Sequence, residues 1–253
     1  MSFAGAYAAG MPGIAVSDAA RGVPPGFPDF GRKFRHRMLQ RRKNGYTMEN
    51  YVIATHNAKK LAELARILEP LGIAAVTDRE LGITITEAEE TGTTFEENAR
   101  IKAESACRET GLPAVADDSG LMVDALDGGP GVYSARFAGE GATDTERNQK
   151  LLRELAAVPA EKRTAKFVSA VCCVFPDGSR VEARGECSGL VGFFPRGEDG
   201  FGYDPLFLVA AGLPGAGKTY AELTPEEKDA VSHRGNALRI FSARLKAYLD
   251  AQK

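Results

Sequence analysis

Apolar runs that alternate with amphipathic helical patterns from residue 51 onward predict an α/β fold. The run at 51–54 is typical of a buried strand, and apolar residues then recur at the spacing of a helix that ends before Gly72. Short apolar runs at 73–76 and 83–86 predict two further strands. This alternation of strands and helices is typical of a sheet with helices packed against it.

Three capping boxes mark the starts of later helices. In each box a threonine is followed three residues later by a glutamate that can bond back to the threonine amide. The boxes begin at Thr94, Thr143 and Thr224, and the third has proline at the first helical position, where no amide hydrogen is needed. An amphipathic pattern over 237–249 predicts a C-terminal helix.

A hairpin pattern adds antiparallel strands to this picture. Apolar runs at 166–175 and 180–188 flank the sequence Pro-Asp-Gly-Ser at 176–179, whose residue types favour a tight turn. A third run at 206–210 is also strand-like. The sequence therefore predicts antiparallel strands beside the earlier α/β part.

The strand predicted at 114–116 leads directly into Asp117, Asp118, Ser119 and Gly120. We expect the glycine to allow a sharp turn of the backbone. Since successive side chains of a strand point to opposite faces, we expect one carboxylate to face a ligand and the other to support a loop. Taken alone, the stretch favours an ordinary strand-to-turn junction, because Asp, Ser and Gly are common turn residues.

The composition indicates a globular protein with reduced cysteines. The four cysteines show no C-x-x-C spacing, which argues against a structural zinc site and favours the cytoplasm. No apolar run approaches the roughly 20 residues that span a bilayer, and the N-terminus lacks a signal-peptide pattern. We therefore expect a cytoplasmic protein that is neither membrane-bound nor secreted.

Residues 1–47 differ from the rest of the chain in charge. They contain eight Lys and Arg against two acids, a charge of +6, whereas the remainder carries 24 basic and 32 acidic residues, a charge of −8. Because they show no apolar periodicity, we interpret them as a disordered or dispensable extension, and we place the catalytic domain at 48–253. A nucleic-acid-binding arm and an organelle presequence are the alternatives.

The stretch at 212–219 matches the P-loop pattern G-x-x-x-x-G-K-[ST] and follows the strand-like run at 206–210. By itself it predicts a nucleoside triphosphatase. A true P-loop opens directly into a helix whose amides hold the phosphates, and the next helix start here is signalled only at Thr224. The sequence favours a coincidental match, with a P-loop NTPase as the alternative.

The loop after the first predicted strand is rich in groups that can bind phosphate. It reads Thr55-His56-Asn57-Ala58-Lys59-Lys60. Free amides at the start of the helix that follows can bind an anion, and hydroxyl, amide and ammonium groups add donors. Lys102, well inside a later helix, can supply another positive charge. The alternatives are an ordinary helix cap by Asn57 and a solvated lysine at Lys102.

Several motifs, taken in order, resemble one known family. They are Thr55-x-Asn57-x-x-Lys60-x-x-Glu63, Glu89-Glu90-Thr91-Gly92-Thr93-Thr94-Phe95-x-Glu97-Asn98-Ala99, Ala116-Asp117-Asp118-Ser119-Gly120-Leu121, Gly129-Pro130-Gly131-Val132-Tyr133-Ser134-Ala135-Arg136, Phe201-Gly202-Tyr203-Asp204-Pro205 and Ser232-His233-Arg234-Gly235. Over 52–245 the chain resembles the inosine triphosphate pyrophosphatase family of non-standard purine nucleotide diphosphatases. His56 departs from the family pattern, which commonly has glycine there.

The resemblance implies a hydrolase that cuts a nucleoside triphosphate between the α and β phosphates and releases the monophosphate and pyrophosphate. The implied substrates are dITP, ITP and XTP, so the enzyme would cleanse the nucleotide pool of deaminated purines. The implied fold is an elongated mixed β-sheet flanked by helices, with the active cleft between two lobes. Mg²⁺ is the implied cofactor and a homodimer the implied assembly, with neither a membrane nor a nucleic acid as partner.

The resemblance also assigns roles to residues. Glu89 and Asp118 are the expected Mg²⁺ ligands, and Asp118 is also the expected base that activates water. Substrate contacts are expected from Thr55, His56, Asn57, Ala58, Lys59, Lys60, Lys102, Ser119, Phe201, Gly202, Tyr203, Asp204, Lys228, His233 and Arg234. Phe201 is expected to stack on the base. Donors such as Arg234 would bond to the keto oxygen of a 6-keto purine, whereas the amino group of adenine would leave them unpaired.

Overall fold

A mixed β-sheet with helices on both faces forms the centre of the structure. The computed structural model describes residues 40–43, 46–55 and 57–252. The strands are β1 (Gln40–Lys43), β2 (Tyr46–Ile53), β3 (Ile73–Val76), β4 (Ala114–Val123), β5 (Thr164–Val174), β6 (Arg180–Val191) and β7 (Phe207–Val209). The helices are α1 (Ala58–Leu68), α2 (Asp78–Leu81), α3 (Phe95–Thr110), α4 (Asp144–Glu154), α5 (Pro225–Val231) and α6 (His233–Ala251).

The pairing of the strands confirms the predicted mixed sheet. Strand β2 runs parallel to β3 and β4, whereas β4, β5, β6 and β7 pair antiparallel in succession. The hairpin predicted around 176–179 joins β5 to β6, which pair from Val174 with Arg180 to Thr164 with Leu190. The open mixed sheet therefore combines a parallel α/β part with an antiparallel part.

The sheet begins before the boundary placed at Met48. Strand β1 pairs antiparallel with the start of β2, so residues 40–43 and 46–47 of the predicted extension belong to the sheet. Residues 1–39 lie outside the described residues, and the interpretation of that part of the extension stays a prediction.

The helix caps agree with the sequence patterns. All three predicted capping boxes form, with the threonine hydroxyl accepting from the third helical amide and the glutamate bonding back. The C-terminal helix starts at His233, four residues earlier than predicted, because Ser232 caps it by accepting from the Gly235 amide at 3.0 Å. This early start places His233 and Arg234 in its first turn.

Two local predictions were wrong. Gly120 is not at a turn, because β4 continues to Val123 and pairs with β5 along its whole length. The glycine is needed for close packing instead, since a Cβ atom there would lie 2.4 Å from Ser134 Oγ. Residues 83–86 form no strand, because the Thr86 amide donates to the Glu109 carboxylate at 2.9 Å and does not join the sheet.

Three core clusters lie in two lobes: the first two, on opposite faces of the sheet, share one lobe, and the third forms the other. One cluster packs α3 against one face of the sheet, and a second packs α1 and α6 against the other face. The third forms where the far ends of β4, β5 and β6 meet α4 and β7. The long strands contribute to both lobes and so connect them, as the sequence resemblance implies.

The cysteines and the helices were also compared with the sequence predictions of free thiols and of no membrane span. All four cysteines are buried and unpaired, which confirms the expected free thiols. Among the described residues, no helix combines the length and the apolar character that crossing a membrane requires.

Candidate active site

A cleft of about 460 Å³ opens where β2 ends and β4 continues. The two strands pair over only two residues, where the end of β2 meets the start of β4: Val52 pairs with Ala114 and Ile53 with Val115. Beyond that point β4 carries Asp117, Asp118 and Ser119 past the end of its parallel neighbour. The chain after β2 turns away into α1, so the edge of β4 faces the cleft.

Most of the predicted site residues line this cleft. Those present are Thr55, Asn57, Lys60, Lys102, Asp118, Ser119, Phe201, Gly202, Tyr203, Asp204, Lys228, His233 and Arg234. They come from sequence positions up to 179 residues apart, between Thr55 and Arg234, and the fold brings them to one place. His56 and the side chains of Ala58 and Lys59 lie outside the described part of the chain, so their predicted contacts stay predictions.

Asp117 is a buried carboxylate that lies between two cations. Its Oδ2 lies 2.9 Å from Lys60 Nζ, in the first turn of α1, and 3.6 Å from Arg234 Nε, in the first turn of α6. Burial alone would raise the pKa of Asp117, but the charges of Lys60 and Arg234 outweigh burial and hold that pKa at about 2. Asp117 therefore stays ionised and fixes both cations.

Asp118 faces a different set of groups. Asn98 Nδ2 donates to its Oδ2 at 3.3 Å, and Lys102 Nζ donates to its Oδ1 at 3.2 Å, both from α3. Burial raises the pKa of Asp118, Lys102 opposes that rise, and the nearby Glu90 carboxylate adds to it. A carboxylate with a raised pKa and fixed orientation is suited to accept a proton.

Glu90 and Arg136 belong to the same charge network and were missed by sequence reasoning. Lys102 Nζ lies 2.8 Å from Glu90 Oε1, and Arg136 Nη1 lies 3.3 Å from Glu90 Oε2. Burial would raise the pKa of Glu90, but Lys102 and Arg136 lower it overall. The adjacent Glu89 is exposed and does not line the cleft. The signal for Glu90 was its place beside Glu89 in one motif.

An aromatic ring and an ion pair form the opposite end of the cleft. Lys228 Nζ lies 2.5 Å from Asp204 Oδ2, which also accepts from the Phe201 amide at 2.9 Å. The Lys228 ammonium lies 5.3 Å from the centre of the Phe201 ring, and the Arg234 guanidinium lies 5.8 Å from it. This end offers a flat apolar surface flanked by hydrogen-bond donors.

His233 is neutral and held by stacking. Its ring lies 4.8 Å from that of Phe167, centre to centre, with an angle of 16° between the planes. Burial, followed by the charges of Arg234 and Lys228, keeps the pKa of His233 well below its usual value. No described residue hydrogen-bonds to its buried Nδ1. Phe167, which also lines the cleft, was not predicted.

The stretch that matches the P-loop pattern lies away from this cleft. Its backbone forms turns, and the Gly217 amide donates to Val209 O at 3.0 Å. Lys218 is on the surface, where its Nζ lies 2.9 Å from Glu227 Oε1. No α-helix begins until Pro225, so this stretch lacks the helix that a P-loop requires. The structure does not favour the P-loop alternative.

The fold and the cleft define an α/β protein built to hold an anionic ligand that has an aromatic end. Lysines and a helix N-terminus form one side, and an aromatic ring with polar neighbours forms the other. The Ham1 family model matches residues 51–244, and the chain belongs to the Ham1 family. This membership confirms the resemblance identified from the motifs.

Relatives of known sequence and structure agree with this membership. The chain is 52% identical over 206 residues to a dITP/XTP pyrophosphatase from Nocardia farcinica, covering 81% of this chain and 98% of that protein. The structure of a HAM1 protein from Coxiella burnetii is similar with a TM-score of 0.72 and 44% identity, covering 79% and 100% of the two chains. A dITP/XTP pyrophosphatase from Mycobacterium abscessus matches with a TM-score of 0.64 and 48% identity, covering 75% and 97%.

Proposed function

We propose that the protein hydrolyses non-standard purine nucleoside triphosphates, dITP, ITP and XTP, to the monophosphate and pyrophosphate. The proposal rests on one cleft that has Lys60, Lys102 and the Asp118 carboxylate near one end and the Phe201 ring near the other. Relatives that share about half of its residues are dITP/XTP pyrophosphatases, which supports the same activity here. The enzyme would remove deaminated purines from the nucleotide pool.

The triphosphate would bind where α1 and α3 meet β4. Lys60 and Lys102 supply positive charge, and Thr55, Asn57 and Ser119 supply polar groups. The Ala58 and Lys59 amides add donors at the N-terminus of α1, where an anion is favoured by the helix dipole, whereas the Lys60 amide donates to Asn57 Oδ1 at 3.3 Å and is capped by it. These groups also stabilise charge that develops on the leaving pyrophosphate.

Asp118 would act as the base for the attacking water. Asn98 and Lys102 each hold one of its oxygens, so the carboxylate is oriented before substrate binds. Asp117, held by Lys60 and Arg234, would position those two cations and take no proton itself.

The side chains fit Mg²⁺ as the cofactor. In the described part of the chain, no group of three or more His, Cys, Asp or Glu residues could hold a metal ion. Mg²⁺ needs only one or two carboxylates, because substrate phosphates and waters complete its ligands. We propose Asp118 and Glu89 as these carboxylates, as the family resemblance implies; Asp118 lines the cleft, whereas Glu89 is exposed next to Glu90, which lines it. When bound, the ion would offset the negative charge of the phosphates.

The base would lie against Phe201, within reach of His233 and Arg234. A 6-keto oxygen can accept a hydrogen bond from the Arg234 guanidinium, whereas the 6-amino group of adenine would place a donor against that donor. Because His233 is neutral, one of its ring nitrogens can accept a hydrogen bond and the other can donate one. These contacts support selection of hypoxanthine and xanthine over adenine.

The proposal extends to the oligomeric state and the cellular location of the protein. We propose a homodimer, as the family resemblance implies, and a cytoplasmic location, which the four unpaired cysteines support. Light scattering on the purified protein would measure the assembly directly, and a monomeric mass would contradict the dimer.

A substrate panel tests the proposed function. Purified protein is mixed with dITP, XTP, dATP and dGTP in Mg²⁺, and the products are separated and identified. We expect dITP and XTP to give the monophosphate and pyrophosphate, with little turnover of dATP. A diphosphate with orthophosphate would instead support the P-loop alternative. Absence of hydrolysis together with salt-sensitive DNA or RNA binding would support the nucleic-acid alternative.

A further inference from the structure

One residue of the base end, Gly202, is held from both sides by a single helix. The Gly202 amide donates to Asp144 Oδ2 at 2.7 Å, and the Gly202 carbonyl accepts from Asn148 Nδ2 at 3.0 Å. Asp144 and Asn148 are four residues apart in α4 and therefore lie on the same face of that helix. Both polar groups of one backbone residue are thus fixed by consecutive turns of α4.

The two side chains are themselves held in place. Arg147 donates to the second oxygen, Oδ1, of Asp144 and also to the Ala135 carbonyl at 3.0 Å. Asn148 is buried, with 7% of its surface exposed. Asp144 and Arg147 also line the cleft, so this cluster forms part of the wall at the base end.

The position of Gly202 determines the position of its neighbours. Its φ of 62° lies in the left-handed region, which glycine adopts without strain, and a Cβ there would meet no atom within 4 Å. On one side Phe201 carries the ring that faces the cleft, and on the other the Tyr203 hydroxyl donates to Ser134 O at 2.8 Å. A shift of the Gly202 peptide would therefore move the Phe201 ring.

We infer that Asp144 and Asn148 are positioning residues that set the affinity for the purine base by holding the Gly202 backbone and, through it, Phe201. This inference rests on the proposed function, because it requires the base to stack on Phe201. The two residues act through the backbone and do not touch the reacting phosphates, so their loss changes base binding more than chemistry. Loss of either hydrogen bond is expected to weaken base binding by about tenfold.

Matched variants separate this role from a structural one. Asn148→Ala removes the donor to the Gly202 carbonyl, and Asp144→Ala removes the acceptor of its amide. Asp144→Asn keeps an acceptor oxygen and serves as the conservative variant. Gln149→Ala changes an exposed neighbour on the same helix and serves as the control. Each protein is examined by steady-state kinetics with dITP, calorimetric binding of inosine monophosphate and of pyrophosphate, and thermal unfolding.

The expected result is a difference between the two ligands. Both alanine variants should raise KM for dITP and Kd for inosine monophosphate about tenfold, with kcat within about threefold of wild type and Kd for pyrophosphate unchanged. Asp144→Asn should recover most of the loss, and Gln149→Ala should match wild type.

Two results would overturn the inference. One is unchanged inosine monophosphate binding in folded Asn148→Ala and Asp144→Ala proteins. The other is an equal loss of inosine monophosphate and pyrophosphate binding, which would indicate general disruption of the cleft. Failure of the wild-type protein to hydrolyse dITP or to bind inosine monophosphate would instead contradict the proposed function itself.

Discussion

Asp117 and Asp118 are consecutive residues of one strand, and their carboxylates lie on opposite faces of the sheet. Asp117 pairs with Lys60 and Arg234, which come from the helices α1 and α6. Asp118 contacts Asn98 and Lys102, which come from α3 on the other face. Burial acts on both carboxylates, yet the pKa of Asp117 is lowered and that of Asp118 is raised. Partner charges therefore give the two acids different properties.

Replacing Asp118 with asparagine tests its role as the base. The change keeps the shape of the side chain but removes its ability to accept a proton, so we expect kcat for dITP to fall by about 10²- to 10⁴-fold while the protein still folds. Asp127→Asn is the matched control, because Asp127 is exposed, lies outside the cleft lining and has a φ of 52° that asparagine tolerates. Near-normal turnover of Asp118→Asn would refute the assignment.

A pair of neighbouring variants tests the proposed metal ligand. We expect Glu89→Gln to raise the Mg²⁺ concentration needed for half-maximal activity by at least about tenfold, because a ligand is lost. Glu90→Gln should lower turnover but leave the Mg²⁺ midpoint little changed, because Glu90 holds Lys102 and Arg136. Titrations of activity with Mg²⁺ measure both effects, and calorimetric Mg²⁺ binding gives a second readout. A normal Mg²⁺ profile for Glu89→Gln would exclude Glu89 as a ligand.

The neutral state of His233 predicts a pH dependence of stability. The folded protein keeps the pKa of His233 well below its usual value of 6.5, so below pH 6.5 the unfolded state binds a proton that the folded state does not. This group therefore favours unfolding as pH falls below 6.5, by up to about 1.4 kcal/mol per pH unit.

The variant His233→Phe isolates this term, because phenylalanine keeps a ring against Phe167 but cannot titrate. Urea unfolding of both proteins between pH 5 and 8 measures the difference. We expect the free energy of unfolding of wild type to fall more steeply below pH 6.5 than that of His233→Phe. Parallel pH profiles would show that His233 titrates normally in the folded protein.

Two lysine variants compare the cleft with the P-loop pattern. Lys218→Ala removes a surface ammonium that pairs with Glu227, and we expect kcat/KM for dITP to stay at the wild-type value. Lys60→Ala removes a donor from the cleft and leaves Asp117 with Arg234 as its remaining partner, so kcat/KM should fall on the order of 10²-fold. Loss of activity in Lys218→Ala would revive the P-loop alternative.

Gly120→Ala tests the packing behind β4. The added methyl group would lie 2.4 Å from Ser134 Oγ and 2.6 Å from the Gly131 carbonyl, so neighbouring groups must shift. We expect the free energy of unfolding to fall by about 1–3 kcal/mol. Gly192→Ala is the matched control, because its φ is not positive and an added Cβ would lie no closer than 3.5 Å to its neighbours. A stability equal to wild type for Gly120→Ala would show that this contact can relax.

Local patterns in the sequence were sufficient for most of the fold. The capping boxes at Thr94, Thr143 and Thr224 form as predicted, because a cap depends only on residues within one turn. The hairpin at 176–179 also forms as predicted, since turn chemistry is local. Residues 83–86 were misassigned because strand pairing depends on a partner elsewhere in the chain, and there the Glu109 side chain satisfies the Thr86 amide.

The amino-acid sequence by itself determined most of the helices and strands, though not β1 or α2, and its motifs indicated the family and most of the candidate site. Only the tertiary structure decided how those residues divide their tasks. In the folded protein β4 continues without a turn past Asp117 and Asp118. Glu90 lies beside Lys102, and the backbone of Gly202 is held by Asp144 and Asn148. The physical reason is that charge pairing, burial and backbone contacts join groups that lie far apart in sequence, and these set the pKa and position of each group.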